Sequence, residues 1–217
     1  MYTSLAEKVA PEHTAVIVVD VQNDFASEES PYTKRRLNLP GVQASVDRMA
    51  AFIDEARSAG VKIVFIQTGG LPGQVPSESS QEQTLRNAPG SDPTRSMCQP
   101  GTWGHEFYKL VPQKGDWIVP KSTYSAFVRT PLEGMLREAG IDTLLMTGIS
   151  TNVCVESTTR HGFMLDFYTV LVEDCCGYYK ENLHVATIEN VNDRFGVVAS
   201  AADVQACWAP IAVEATV

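Results

Sequence analysis

Asp20, Lys121 and Cys154 each follow an apolar stretch that is typical of a buried strand. Cys154 lies in the segment TGISTNVCVESTTRHG, after the apolar run 143–146 and near the start of a predicted helix. In the first turn of a helix, backbone N–H groups and the helix dipole favour a thiolate, so Cys154 is a candidate nucleophile. A small, buried and unreactive thiol would fit the same position.

The other two residues carry opposite charges. Asp20 ends the run TAVIVVD, and Lys121 follows Pro120 after the apolar run 117–119. A carboxylate that ends an apolar strand suits a central parallel strand whose carboxyl end faces a site. Asp20 could instead cap the next turn, and Lys121 could be a solvated charge. If the strands are parallel, Asp20 can accept the thiol proton while Lys121 lowers the thiol pKa and keeps Asp20 ionised.

Strands and helices are predicted to alternate along the chain. The predicted strands are 14–20, 61–67, 117–119, 141–147, 168–172 and 197–198, and the predicted helices are 41–59, 130–140, 152–165, 183–195 and 201–208. The segment TPLE at 130–133 has the pattern of a capping box, and Thr151 is a candidate N-cap that would place Cys154 at the third helical position. The alternation predicts one Rossmann-like, three-layer α/β/α domain over residues 1–217, with about six strands in a mostly parallel sheet.

Composition and charge limit the classes of protein to which the chain can belong. The 217 residues are 44% hydrophobic and 20% charged, which is ordinary for a globular domain. A net charge of −9 argues against a nucleic-acid surface and against an anionic membrane as partner. Because no apolar run is long enough to span a membrane and the N-terminal segment has no apolar signal core, we expect a cytoplasmic protein.

The cysteines and histidines do not show the spacing of a disulfide framework or a metal site. Cys98, Cys154, Cys175, Cys176 and Cys207 are odd in number and unevenly spaced, and the adjacent pair is expected to lie in the core. The four histidines are not clustered at ligand spacing, so no metal and no other cofactor is predicted, and the histidine at position 161 is expected to be a packed or exposed side chain.

Two long polar segments, 26–40 and 68–104, leave strand ends at the predicted site edge and could form a lid or a subunit contact. The basic cluster Lys34-Arg35-Arg36 could bind a substrate carboxylate or be a solvated turn. Aromatic side chains near the predicted strand ends are candidate pocket walls. These substrate-binding candidates are Phe25, Tyr32, Trp103, Tyr124 and Phe127.

The segments DVQNDF, PK followed by YSAF, and GISTNVCVESTTRHG resemble the isochorismatase-like cysteine hydrolases, from about residue 14 to residue 209. The resemblance implies a catalytic triad of Asp20, Lys121 and Cys154, and a cis peptide between Ile149 and Ser150. It also implies an oxyanion hole made by the N–H groups of Ser150 and Cys154, a small-molecule substrate, and a homo-oligomer, either a dimer or a tetramer. Nicotinamidases of this family carry a zinc-binding histidine after the second strand. The loop FIQTGGLPGQ lacks it, which favours a metal-free site.

Within this family, the presence of Cys154 favours cleavage of a C–N bond, because members that cleave isochorismate lack the nucleophilic cysteine. The predicted enzyme is a cysteine amidohydrolase that cleaves a small amide, ureide or N-carbamoyl compound through a thioester and releases ammonia or an amine. The stretch NVCVESTTRHGFMLDF is most similar to the ureidoacrylate type, with biuret and carbamoylated amino acids as further substrates to consider.

Several alternatives remain open at this point. They are a nicotinamidase-like or isochorismate-type hydrolase, a non-catalytic interaction protein, and a redox sensor in which Cys154 pairs with Cys175 or Cys176. For the enzyme, a lowered pKa is expected to make Cys154 react faster with iodoacetamide than the other four thiols.

Overall fold

A single sheet of six parallel strands forms the centre of the molecule, in the order β3-β2-β1-β4-β5-β6. The computed structural model describes residues 1–34, 36, 38–69, 77–87 and 97–208. The strands are β1 (Thr14–Val19), β2 (Lys62–Thr68), β3 (Trp117–Lys121), β4 (Thr143–Ile149), β5 (Tyr168–Gly177) and β6 (Val197–Ala199). The predicted α/β fold with about six strands is therefore confirmed, and every strand pair is parallel.

Helices cover both faces of this sheet. The α-helices are α1 (Leu5–Lys8), α2 (Asn23–Ala26), α3 (Leu39–Ser58), α4 (Glu78–Asn87), α5 (Leu132–Glu138), α6 (Glu156–Met164), α7 (Glu181–Asn190) and α8 (Ala201–Trp208). Short 3-10 helices span Pro11–His13 and Trp103–His105, and five-residue π-helical turns span Thr151–Val155 and Val191–Phe195. Among the described helices, none is long and apolar enough to cross a membrane.

The core consists of two apolar layers, because alternate residues of each strand point to opposite faces of the sheet. In β1, Val16 and Val18 pack with α3 and α8, whereas Ile17 and Val19 pack with residues of α5 and of the turn at Thr151–Val155. All six residues of β1 are buried, which explains its uninterrupted apolar sequence.

The order of the strands places a topological switch point between β1 and β4. From β1 the chain moves outward to β2 and β3, then returns to place β4 on the other side of β1 and continues to β5 and β6. Ligands of open parallel sheets bind beyond the carboxyl ends of the strands at such a point. The two central strands therefore deliver the residues that follow them, Asp20 and the segment from Ser150, to that crevice.

Two predicted helix caps are wrong, because the hydroxyl groups of Thr130 and Thr151 donate to carbonyl groups outside the helices that they were expected to cap. Helix α5 begins at Leu132 without a side-chain cap, and the hydroxyl of Thr130 donates to the carbonyl of Ala126. The hydroxyl of Thr151 donates to the carbonyl of Gly177 at 3.0 Å, and Thr151 opens a π-helical turn rather than capping an α-helix.

Strand β5 is longer than predicted. It runs to Gly177 rather than ending at Val172, and its pairing with β4 shifts register opposite the segment Met146 to Gly148. The added residues include Cys175 and Cys176, which are buried as expected for core thiols.

Gly148 lies two residues before Ser150, with φ of 118°, and a Cβ at this position would lie 2.2 Å from the carbonyl oxygen of Val19. We expect Gly148→Ala to lower the free energy of unfolding by about 3 kcal/mol, because it adds both a backbone clash and a strained dihedral angle. Urea denaturation followed by circular dichroism measures the change.

Gly134 provides the matched control, because it lies inside α5 with nothing within 4 Å of the position of an added Cβ. Gly134→Ala is expected to raise the free energy of unfolding by about 0.5–1 kcal/mol through the helix propensity of alanine. Similar stabilities for the two variants would contradict the close packing assigned to Gly148.

Candidate active site

Asp20, Lys121 and Cys154 meet at the carboxyl edge of the sheet, each delivered by a different strand. Asp20 directly follows β1, Lys121 ends β3, and Cys154 lies in the π-helical turn after β4. Strand β2 separates β3 from β1, so the origins of Lys121 and Asp20 are about 10 Å apart at a strand spacing of about 4.8 Å. The lysine side chain, the ion-pair contact and the Asp20 side chain together bridge that distance.

The ammonium group of Lys121 has three short contacts. Its Nζ lies 2.7 Å from Oδ2 of Asp20, 2.8 Å from the carbonyl oxygen of Thr123 and 3.5 Å from Sγ of Cys154. A lysine ammonium has three donor hydrogens, so these three acceptors match its full capacity. The side chains of Lys121 and Asp20 are both fully buried, whereas Cys154 remains partly exposed and therefore accessible to a small molecule.

The carboxylate of Asp20 is held mainly by the charge of Lys121. Its backbone has φ of 52°, a left-handed conformation that Asp tolerates better than most residues, and its N–H donates to the carbonyl of Ile66. The contact of Oδ2 with Lys121 is an ion pair at 2.7 Å, and interactions with Lys121, the Cys154 thiol and the N–H of Thr68 lower the pKa of the carboxyl against the effect of burial. A buried carboxylate beside a thiol is suited to accept its proton.

The pKa values of the three groups are coupled. Burial raises the pKa of the Asp20 carboxyl, and the neighbouring Lys121 charge offsets part of that rise. Burial alone would lower the pKa of Lys121, but its interactions with the Asp20 carboxylate and with Cys154 outweigh it, so that the pKa is raised. The ammonium therefore stays protonated beside the carboxylate.

The expectation that Cys154 has a lowered pKa is wrong. Burial and the negative charge of Asp20 raise the pKa of the thiol, and the opposing effect of Lys121 is smaller. Cys154 is therefore a protonated thiol in the free protein near neutral pH, and the faster alkylation expected from a thiolate does not follow from this geometry. A nucleophile of this kind needs a base at the moment of attack, and Asp20 is adjacent to it.

The turn that carries Cys154 is fixed from both ends. The peptide bond between Ile149 and Ser150 is cis, as the family resemblance implied. The N–H groups of Val153 and Val155 both donate to the carbonyl of Ser150, and the hydroxyl of Thr158 donates to the carbonyl of Cys154 at 2.7 Å. Ser150 and Cys154 thus lie on one tight turn, as an oxyanion hole made of their two N–H groups requires.

Gln22 is a residue of the site region that the sequence analysis missed. Its side-chain Nε2 donates to the carbonyls of Thr68 and His105, and its Oε1 accepts from the N–H of Thr68, each at 2.9 Å. The fully buried side chain therefore joins the ends of β1 and β2 to the 3-10 helix that contains His105. Its place in the run DVQNDF, two residues after Asp20, was the available signal.

Asp24 was missed in the same way. Its carboxylate accepts from the N–H of Cys98 at 2.7 Å and from the hydroxyl of Ser30 at 3.0 Å, and it lies so close to Gly104 that a Cβ there would overlap it. Asp24 is buried and connects α2 to both of the long polar segments. We assign it a positioning role at the edge of the site.

The five aromatic pocket candidates are placed differently from one another. Tyr32, Trp103 and Tyr124 are exposed, and Phe25 is partly buried against the core. The prediction that Phe127 lines a pocket is wrong, because this side chain is 8% exposed and packs in the core with Phe167. Its ring is apolar throughout and lies under α6, where burial is favourable.

His161 contacts the ring of Phe127, and its Nδ1 lies 2.9 Å from the hydroxyl of Ser125. It is a packed side chain, as expected. Cys175 and Cys176 are 0% and 2% exposed in the core, and both are free thiols.

Parts of the predicted lid segments fall outside the description. Residues 70–76 and 88–96 of the segment 68–104, and Arg35 of the basic cluster, lie outside the described residues. The described part of 68–104 includes α4 and the 3-10 helix at Trp103–His105. Within the described ranges, no group of three or more His, Cys, Asp or Glu side chains is arranged to hold a metal ion.

Comparison with known proteins agrees with this geometry. The family model described as "Isochorismatase domain" matches residues 14–203. The chain is 37% identical over 205 residues to the ureidoacrylate amidohydrolase RutB of Enterobacter sp. (strain 638), covering 89% of this chain and 88% of that protein. It is 36% identical over 215 residues to the ureidoacrylate amidohydrolase RutB of Azorhizobium caulinodans, covering 94% of this chain and 93% of that protein.

Solved structures show the same fold. The crystal structure of an isochorismatase family protein from Desulfovibrio vulgaris subsp. vulgaris str. Hildenborough superimposes with a TM-score of 0.77 at 24% identity, over 90% of this chain and 97% of that one. Because the family model covers most of the chain and the curated relatives match it over nearly their full length, the protein belongs to the isochorismatase family.

Proposed function

We propose that the protein is a cysteine amidohydrolase that cleaves a C–N bond of a small ureide. The observation that carries this proposal is the contact of one buried ammonium, that of Lys121, with both the Asp20 carboxylate and the Cys154 thiol. The group contains a nucleophile, an adjacent base and a fixed positive charge. These are the components of acyl transfer through a covalent intermediate.

The first step transfers the thiol proton of Cys154 to Asp20 while the sulfur attacks the carbonyl carbon of the substrate. The new S–C bond forms as the carbonyl π bond opens, and the negative charge moves to the oxygen. The N–H groups of Ser150 and Cys154 are the donors assigned to that oxygen. Because the thiol is protonated in the free protein, proton transfer and attack are coupled at this step.

In the second step, Asp20 returns the proton to the leaving nitrogen and the C–N bond breaks. Ammonia or an amine leaves, and the acyl or carbamoyl group stays on the sulfur. Asp20 then takes a proton from a water molecule that attacks the same carbon. The C–S bond then breaks, Asp20 returns that proton to the sulfur, and the product leaves with the Cys154 thiol restored.

Lys121 keeps the site electrically balanced throughout this cycle. Negative charge moves from Asp20 to the sulfur as the proton moves in the opposite direction. Both positions lie within 3.5 Å of the same ammonium, at 2.7 Å and 3.5 Å. The charge therefore never moves away from its counter-ion, which is important in a buried site where solvent screening is weak.

The choice of a ureide rests on the curated relatives. Two ureidoacrylate amidohydrolases match the chain at 37% and 36% identity over most of its length. The test is ammonia release from 3-ureidoacrylate, biuret, N-carbamoyl amino acids and nicotinamide, with Cys154→Ser as the control. We expect the unsubstituted protein to release ammonia from a ureide and the Cys154→Ser protein to release none. Hydrolysis of nicotinamide in preference to every ureide would contradict the proposed substrate class.

Asp20→Asn removes the base but keeps the size of the side chain. Because a positioned general acid–base contributes about 10²–10⁴-fold, kcat/KM for the best substrate is expected to fall by at least about 10²-fold. Steady-state kinetics measures this, and circular dichroism checks that the variant is folded. Retention of most of the activity in a folded Asp20→Asn protein would contradict the role given to Asp20.

Although Asp20→Asn is expected to lower the activity, it is also expected to lower the pKa of the Cys154 thiol and so to increase the fraction of thiolate. Burial and the Asp20 charge hold the pKa of Cys154 above its ordinary value of 9.0, so the thiolate appears only above that pH. In Asp20→Asn the negative charge is removed, so the pKa of Cys154 falls and the thiolate appears at lower pH. Thiolate absorbance near 240 nm against pH, with Cys154→Ser subtracted, measures the shift.

The combination of more thiolate and less activity in one variant would separate proton transfer from simple thiol ionisation. If Asp20→Asn instead left the titration of Cys154 unchanged, the coupling between the two groups would be wrong.

A further inference from the structure

A hydrogen bond crosses the carboxyl end of β4 above the segment that leads to Cys154. The hydroxyl of Tyr179, two residues after β5, donates to the carbonyl of Phe25 in α2, just after β1. Strand β4 lies between β1 and β5 in the sheet. The link between the segments beyond the two outer strands therefore passes over the end of the central strand, and Tyr179 lies at the same carboxyl edge of the sheet as the turn that carries Cys154.

The electrostatics agree with this placement. Burial raises the pKa of Tyr179, the positive charge of Arg36 opposes that rise, and the thiols of Cys98 and Cys154 add to it. The phenol is therefore within electrostatic reach of both the nucleophile and the guanidinium group of Arg36.

Arg36 lies over the ring of Tyr179, with its Cζ 4.6 Å from the ring centroid. The backbone N–H of Arg36 donates to the carbonyl of Thr33 at 2.8 Å, and the side chain of Asn38 donates to the carbonyl of Tyr178 at 3.1 Å. The segment around Arg36 is thus attached to the segment after β5 at two points. A cation over an aromatic face is favourable and leaves the N–H edge of the guanidinium available.

That N–H edge has no carboxylate partner within the part of the chain that the structure describes. None of the ion pairs there involves Arg36, and Arg36 is exposed. The buried group below is already neutral overall, with one carboxylate, one ammonium and a protonated thiol. An anionic substrate must therefore find its counter-charge outside that group, and Arg36, over the ring of Tyr179, supplies one at the same edge of the sheet.

We propose that Arg36, positioned on the ring of Tyr179, binds the carboxylate of the substrate while the ureido carbonyl lies at Cys154. The proposal rests on the proposed ureide hydrolysis and narrows it to ureides that carry a carboxylate at the end remote from the scissile bond. Arg36 is then the residue that determines this specificity, and Tyr179 is a positioning residue that holds it. A guanidinium presents paired donors that fit a carboxylate in two parallel hydrogen bonds.

The test compares an acid with its uncharged amide in a protein that cannot turn over. Isothermal titration calorimetry of 3-ureidopropionate and 3-ureidopropanamide into Cys154→Ser measures the preference for a carboxylate without hydrolysis. The acid is expected to bind about tenfold or more tightly than the amide. When Arg36→Gln is added to Cys154→Ser, the preference should disappear and binding of the amide should stay unchanged. Arg36→Lys in the same background should keep part of the preference for the acid.

Lys34→Gln is the matched control, because Lys34 lies in the same exposed turn and the substitution makes the same change in net charge. It should keep the preference for the acid. A missing preference, a preference that survives Arg36→Gln, or an equal loss with Lys34→Gln would each overturn the assignment.

Turnover by the unsubstituted protein separates this inference from the function on which it rests. With hydrolysis present, Arg36→Gln should raise KM for the acid by about tenfold or more and leave kcat little changed. A preference for the acid that depends on Arg36, in a protein that hydrolyses no ureide, would support the carboxylate site and overturn the proposed reaction. Ureide hydrolysis with no preference for the acid that depends on Arg36 would support the proposed reaction and overturn the carboxylate site.

Discussion

The buried ion pair between Lys121 and Asp20 is the interaction on which the rest of the site depends. Removing two charges from water costs several kcal/mol for each ion, and only close and lasting contact between them offsets that cost. The parallel sheet supplies this contact, because β1 and β3 are held in register through β2. The carbonyl of Thr123 takes one further hydrogen of the ammonium. The thiol of Cys154 joins an arrangement that is already satisfied in charge.

Much of this arrangement could be predicted from the sequence, because it follows from simple rules of chain geometry. Apolar runs alternating with helical periods predicted the parallel sheet, and the carboxyl ends of parallel strands share one edge. Since Asp20, Lys121 and Cys154 each follow such a run, their convergence needed no knowledge of the loops. Local signals were less reliable where a side chain had a competing partner far along the chain, as with the hydroxyl of Thr151, which bonds to Gly177.

The rest could not be predicted, because it depends on contacts between distant segments. Gln22 bonds to a carbonyl 83 residues away, and Tyr179 bonds to one 154 residues away, so no local pattern marks either of them. The pKa of Cys154 is a similar case. The helix start and Lys121 are visible in the sequence and favour a thiolate, whereas the burial that outweighs them is a property of the completed fold.

The link from Tyr179 to Phe25 spans the end of β4, and its two ends belong to segments that contribute no group to the proposed proton transfer. The residues that control entry of the substrate and the residues that react with it therefore come from separate segments of the chain. The connection between β5 and α7 can change in length or charge while the sheet keeps the reacting groups at the same distances. A scaffold divided in this way can acquire new substrates through its entrance alone, with the bond-breaking chemistry inherited unaltered.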